Sequence, residues 1–345
     1  MVFNSSSVLN KLLVLFFVFA GIYYAKDILM PLAIGTVLAT LFLPVSQWLE
    51  NKKVPRIVAA FVCLSILLLL ITGVLTMLKW QISQLTQDID LIKQKGAEMV
   101  TAFRDYLAQH ANISLETQSE LLGEQQPFIT RLLQEIPGSL SYVLIQSIFI
   151  LVYMLLLLYY RSHFKQFLLK LATPEQKSET ENVIYSIAHV SQQYLIGLSK
   201  MIVCLWIMYG IGFSLLGVKN ALFFAFLCGI LEIVPFIGNI TGTTITVLVA
   251  ALQGASLPLL AGIVGTYAFV QFIQGWVLEP LIVGSQVKIN ALFTIVALAI
   301  GELLWGISGI FLAIPLIAMF KIACDHIESL KPIGYLIGEN EPKNK

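Results

Sequence analysis

Charged residues are scarce in this chain. Only 12% of its 345 residues are charged, 58% are apolar, and the mean hydropathy is +0.85. Soluble domains carry about 25% charged residues, so this composition excludes a soluble globular protein and a disordered chain. The 21 basic residues are balanced by 20 acidic ones, which leaves no basic surface of the kind that binds nucleic acid. We therefore expect no nucleic-acid partner.

Motifs of enzymes and metal sites are also nearly absent. The sequence has no glycine-rich phosphate loop ending in Lys and no HExxH, and no two of its four cysteines are close together. The segment Gly306-Ile307-Ser308-Gly309 matches the short G-x-S-G of intramembrane serine proteases, but all four histidines lie outside the apolar runs. Such a serine needs a histidine from another membrane helix. We expect no enzymatic activity, no cofactor and no metal.

Long apolar runs are what the sequence has instead. Stretches of 22 residues at 28–49 and 57–78 contain no charge, and residues 136–160 supply 25 more. A membrane helix needs about 20 apolar residues. The sequence therefore predicts an all-α polytopic protein embedded in a lipid bilayer. We assign about six full spans, at 9–25, 28–49, 57–78, 136–160, 201–218 and 257–279.

The positions of the charges predict an orientation. Lys52, Lys53 and Arg56 make the turn at 50–56 the most basic short loop, and such loops face the cytoplasm. Both chain termini are then cytoplasmic. The segment 81–137, with eight acids and four bases, falls on the outer side.

The charged segments also divide the chain. We distinguish N-terminal membrane helices (1–80), an extramembrane amphipathic helical segment (81–137), a span (138–160), a cytoplasmic or interfacial amphipathic helix (161–197), a transport core (198–325) and a cytoplasmic tail (326–345). In the second segment, apolar residues from Ile82 to Tyr106 follow the 3-4 spacing of a heptad seam. This seam packs either within the chain or against another subunit.

The predicted transport core contains an internal repeat. The sequence N-A-L-F at 220–223 recurs at 290–293, and seven of 18 positions are identical at this offset of 70, including Glu232 and Glu302. Each copy holds two apolar stretches around a turn, marked by Pro235 and Gly238 in the first copy. Gly306, Ser308 and Gly309 mark the turn in the second copy, which we expect to join apolar stretches at 291–304 and 309–320.

The topology makes this repeat inverted. With the spans assigned above, the first hairpin starts from the outside and the second from the inside. Inverted repeats with broken helices are typical of secondary transporters. Because the half-segments are short, the hairpins either dip into the membrane as re-entrant elements or span it fully.

Two acidic residues lie within the apolar runs. A charge at mid-membrane costs about 2.5–3.5 kcal/mol. Glu232 and Glu302 therefore either form a proton or cation site or sit neutral, satisfying backbone groups at the turns. Further polar candidates either line a transport path or bond helices to one another. These candidates are Asn239, Gln271, Gln274 and Glu279.

The motifs around these residues resemble a known family. The segment E-I-V-P-F-I-G at 232–238, Q-F-I-Q-G at 271–275, L-E-P at 278–280 and G-I-S-G-I-F-L-A-I-P-L at 306–316 are similar to motifs of the autoinducer-2 exporter family of bacterial permeases. Ile310 stands where that family often has Met. The resemblance implies a multipass exporter in the bacterial inner membrane, moving a small polar solute such as autoinducer-2, and a homo-oligomer.

Family members are also described as sodium–proton antiporters, so the resemblance leaves a solute or a cation as cargo. We expect transport coupled to an ion gradient. A non-transporting oligomeric scaffold or passive pore is the alternative from another class, because it would need no titrating acid.

Overall fold

A computed structural model describes residues 5–87, 94, 101, 128–174, 176–232, 237–283 and 289–339. Within these ranges the regular elements are helices, and the backbone bridge Ile289–Gly338 is isolated. The α-helices are α1 Ser5–Tyr24, α2 Lys26–Asn51, α3 Arg56–Gln87, α4 Phe128–Leu171, α5 Lys177–Leu215, α6 Ala221–Leu231, α7 Ile237–Leu252, α8 Leu257–Ile273, α9 Ala291–Trp305, α10 Ile307–His326 and α11 Lys331–Ile337. A π-helix, Gln274–Val283, continues α8, and a 3₁₀ turn, Glu328–Leu330, precedes α11.

Six helices of the described ranges are long and apolar enough to cross a membrane, which confirms the all-α polytopic prediction. Their apolar surfaces are largely exposed in the single chain, with at most 39% of an apolar window buried, as expected for helices that face lipid. The six segments are Lys26–Asn51, Arg56–Met77, Tyr142–Leu171, Lys177–Leu215, Leu257–Ile282 and Ile307–His326.

Five of these six coincide with predicted spans, and the sixth was predicted differently. The sequence assigns 309–320 to half of a hairpin, whereas α10 runs for 20 residues, or about 30 Å. Conversely, the predicted span at 9–25 forms α1, a helix of 20 residues, but it is not among the six.

The amphipathic segments lie differently than predicted. The predicted interfacial helix at 161–197 is shared between the end of α4 and the start of α5, because both helices continue past their apolar parts. Most of the predicted seam from Ile82 to Tyr106 lies outside the described residues, as does Pro235.

The chain forms two compact units. Unit 1 comprises Met1–Leu68, Gln146–Lys200 and Glu279–Lys345, and unit 2 comprises Leu69–Ile145 and Met201–Leu278. The predicted transport core at 198–325 is therefore divided, with the first hairpin in unit 2 and the second in unit 1.

Close helix packing in unit 1 depends on small residues. A Cβ at Gly35 of α2 would lie 2.9 Å from the Cβ of Tyr153 in α4, so only glycine lets the helices approach this closely. Beside this contact, Phe42, Cys63 and Met154 belong to a buried apolar cluster.

Candidate functional site

The first hairpin, α6 and α7, carries the candidate site. Helix α6 has 11 residues, or about 16 Å, too short to cross a bilayer alone. The two helices touch where Gly238 of α7 faces the backbone carbonyl of Leu231 at the end of α6. A side chain at position 238 would collide with that carbonyl, so the turn requires glycine.

Glu232 lies at this end of α6 and is buried. It follows Leu231, the last residue of the helix, and it is only 6% exposed. The Nε2 of Gln274 donates a hydrogen bond of 2.6 Å to its Oε1, and Gln274 is itself 8% exposed. The acid therefore has a fixed amide donor in an interior where water is scarce.

A chain of hydrogen bonds extends from this pair. The Nε2 of Gln271 donates to the Oε1 of Gln274 at 3.0 Å and to the hydroxyl oxygen of Tyr209 at 3.4 Å. Tyr209 is fully buried on α5. We call Tyr209, Gln271, Gln274 and Glu232 the buried polar chain. It joins α5, α8 and the end of α6 through side chains that change partner if one of them changes protonation.

The helix geometry changes at Gln274, the residue of the buried polar chain that bonds Glu232. Gln274 is the first residue of the π-helix, which contains Pro280. Proline has no N–H and disrupts the regular helical hydrogen bonds before it, and π-turns occur frequently at functional sites. The wider turn begins at the residue whose amide bonds Glu232.

Helix α7 presents buried polar groups on one face. Asn239, Thr243 and Thr246 are spaced four and three residues apart and are at most 6% exposed. The Thr246 hydroxyl donates to the carbonyl of Gly242 at 2.7 Å, whereas the Oδ1 of Asn239 has no hydrogen-bond partner among the described residues. Leaving such an atom unpaired costs about 1–3 kcal/mol, so this oxygen is suited to a polar ligand.

The second hairpin is built differently. Helices α9 and α10 are joined by Gly306 alone, in a backbone conformation of φ 61° and ψ −141° that favours glycine. Gly301 and Gly309 meet through their backbones. The end of α9 is held by Trp305, whose Nε1 donates to the carbonyl of Ile22 in α1 at 3.2 Å.

Three further predicted site residues lie in unit 1. Glu302 is inside α9 and Glu279 is in the π-helix, and both have exposed side chains. Ser308 is half-buried at the start of α10. The structure thus places Glu232, Gln271 and Gln274 together in unit 2, with Asn239 next to the Gly238 contact. Tyr209 was missed by sequence reasoning, although a tyrosine within an apolar span was a signal.

The described residues hold six membrane-length helices, the architecture of a multipass membrane protein. A family model described as AI-2E family transporter matches residues 12–329. The chain belongs to this family.

Curated relatives cover nearly the whole chain. A "Putative transport protein" of Borreliella burgdorferi is 25% identical over 95% of this chain and 90% of that protein. "Putative transport protein YhhT" of Escherichia coli is 22% identical over 98% and 96%, respectively. The "AI-2 transport protein TqsA" of Escherichia coli is 21% identical over 97% and 96%. All three names describe transport, and this chain is a transporter.

Proposed function

We propose that this transporter exports a small polar solute, of the kind of autoinducer-2, and that Glu232 binds the proton that couples export to the ion gradient. The observation that carries the proposal is the buried carboxylate at the end of α6, which accepts a short bond from Gln274. A carboxylate inside the membrane region is costly, and proton binding is the chemistry that makes it useful.

The buried polar chain explains how a proton could move helices. A proton on Oε1 of Glu232 makes that oxygen a hydrogen-bond donor as well as an acceptor. When the new O–H points at Gln274, the amide of Gln274 rotates so that its oxygen accepts. Rotation removes the acceptor that Gln271 now uses at 3.0 Å, and Gln271 also loses its orientation toward Tyr209. Protonation of one residue is thereby transmitted to α5 and α8.

The cargo would meet the buried polar groups of α7. The Oδ1 of Asn239 and the Oγ1 of Thr243 can accept from the hydroxyl groups of a small sugar-like solute. Escherichia coli TqsA, by its name an AI-2 transport protein, makes a polar furanose a fitting cargo class. Sodium is the second candidate cargo, because the same oxygens and a carboxylate are hard ligands of the type that binds such ions. That reading corresponds to a sodium–proton antiporter.

The remaining predictions belong to the same proposal. Glu302, the repeat counterpart of Glu232, and Glu279 are exposed carboxylates that a cargo could reach. We place the protein in the bacterial inner membrane with both termini in the cytoplasm, and as a homo-oligomer. The basic turn Lys52–Arg56 supports this orientation.

Flux measurements in proteoliposomes test the proposal. Proton and sodium gradients are imposed separately, with autoinducer-2 or radioactive sodium as cargo. We expect a proton gradient to drive accumulation of one cargo against its own gradient. Equilibration that ignores both gradients would instead identify a passive pore, and no flux of either cargo would identify a scaffold.

A further inference from the structure

A group of charged residues in unit 1 lies apart from the candidate site. Glu50, at the end of α2, accepts a bond of 2.5 Å from Nη2 of Arg161 and lies 3.3 Å from Nε of Arg56. Buried Ser46 donates to the other oxygen of Glu50 at 3.0 Å. One carboxylate thus holds two guanidinium groups, and both arginines are oriented by it.

The charges of this group do not balance. Lys52 and Lys53, both exposed, follow Glu50 in the turn between α2 and α3. Together with Arg56 and Arg161 they make four cations against one acid, a net charge of +3. Arg56 is held on one side by Nη1 donating to Ser162 at 2.9 Å, yet its side chain stays 51% exposed. A fixed, half-exposed guanidinium in the same turn as two exposed lysines is suited to a phosphate group.

The depth of the group in the bilayer identifies the phosphate. Membrane-length helices end at Asn51 and begin again at Arg56, so the turn lies at a bilayer face. Trp48, one turn before the end of α2, is 56% exposed, and tryptophan is enriched at the level of the lipid headgroups. The ammonium of Lys52 lies 3.8 Å from the centre of its ring. The anions present at this level are lipid headgroups.

We propose that Lys52, Lys53 and Arg56 form a binding site for the headgroup of an anionic phospholipid. The phosphate would lie against the exposed side of Arg56, and the two lysines would favour a lipid with a net negative charge over a zwitterionic one. Each cation near a membrane surface contributes about 1 kcal/mol, which corresponds to roughly a fivefold change in affinity.

The test is thermal unfolding of the full-length protein in neutral detergent, titrated with phosphatidylglycerol, phosphatidylcholine or inorganic phosphate. We expect phosphatidylglycerol alone to raise the melting temperature. The double variant K52Q/K53N should need roughly 25-fold more of it for half of the effect. Asn is chosen at position 53 because Lys53 has a φ of 67°, which Asn tolerates.

Matched controls separate a site from general attraction. K170Q/K177Q removes two exposed lysines at the end of α4 and the start of α5 and should shift the titration less than about twofold. K52R/K53R should bind like the wild type. Equal shifts in both neutral variants, equal stabilisation by phosphatidylcholine or phosphate, or no effect of phosphatidylglycerol would each overturn the proposal.

Discussion

The two hairpins share a sequence repeat but end their first helices differently. In the first hairpin α6 stops at Leu231 and Glu232 is buried beyond it. In the second, α9 continues through the equivalent positions to Trp305, and Glu302 is exposed on it. In both hairpins the first helix contacts a glycine of the returning helix at the same repeat position. That position is Leu231 in the first copy and Gly301 in the second. The repeat therefore preserves the crossing, while the burial of the acid differs between the two copies.

One sequence difference between the copies lies at repeat positions 235 and 305. Proline disfavours helical backbone at the residue before it, and Pro235 follows shortly after the end of α6 in the sequence. Trp305 occupies the equivalent position, extends α9 and bonds α1. This is one of the 11 positions of 18 at which the copies differ, and it favours an earlier helix end in the first copy.

The largest expected effect is that of the two acids on the coupling of transport to the proton gradient. Glu232→Gln keeps the shape but cannot bind a coupling proton, so gradient-driven transport should fall to background. Glu302→Gln should lower the rate by about tenfold or less and leave its dependence on the gradient intact. Proteoliposome flux with and without a proton gradient measures both. Equal loss of gradient dependence in the two variants would show that the acids act as a symmetric pair.

Because a glycine lies at the helix contact of each hairpin, we expect substitution of either glycine to destabilise the protein to a similar extent. Gly238→Ala and Gly309→Ala each place a Cβ against a backbone carbonyl, so the helices have to separate, at a cost of about 1–3 kcal/mol or more. We expect a lower melting temperature in both variants. Gly265→Ala is the matched control, because a Cβ there meets nothing within 4 Å. Damage to only one hairpin would contradict a preserved crossing.

Asn220 and Asn290 precede the two hairpins, and we expect them to contribute differently to the stability of the protein. The Nδ2 of Asn290 donates to the carbonyls of Leu336 and Gly338, and its Oδ1 accepts from the backbone N–H of Phe293. Within the described ranges Asn220 makes no such cap and its Nδ2 has no hydrogen-bond partner, and its φ is 61°. Asn290→Gly should cost about 2 kcal/mol, whereas Asn220→Gly should stay within about 0.5 kcal/mol of the wild type.

Chemical unfolding of the two variants measures this comparison. Asn290→Gly should also make α11, Lys331–Ile337, more accessible to proteases. Similar costs at the two positions would mean that the C-terminal contacts of Asn290 contribute little.

The smallest effect is expected at the far end of the buried polar chain. Tyr209→Phe removes the hydroxyl that accepts from Gln271 over a long 3.4 Å, which should cost about 0.5–1.5 kcal/mol and slow transport about twofold. Because Gln274 and Glu232 keep their bond, coupling to the gradient should persist. Loss of coupling in this variant would mean that the tyrosine, and not only Glu232, handles the proton.

Much of this arrangement follows from the sequence. Apolar length predicts five of the six membrane-length helices, the offset of 70 predicts two hairpins, and a spacing of three residues predicts that Gln271 and Gln274 share a helix face. The structure places those two amides within 3.0 Å of each other. The roles of these residues stay predictions.

The remaining features depend on contacts between distant parts of the chain. Helix α10 packs on α9 and α11, and Gln274, which bonds Glu232, lies 42 residues further along the sequence. The π-helix is also invisible to a periodicity of 3.6 residues. Glu232 and Glu302 are identical residues at equivalent repeat positions, yet Glu232 is buried and Glu302 is exposed.

The central claim is that Glu232 binds a proton within the folded protein. Infrared difference spectroscopy of the reconstituted transporter, titrated from alkaline to acidic pH, observes carboxyl protonation directly. We expect a band from a protonated, buried carboxyl group that appears on acidification, is lost in Glu232→Gln and is retained in Glu302→Gln. A titration that is the same in Glu232→Gln as in the wild type would mean that Glu232 does not bind the proton.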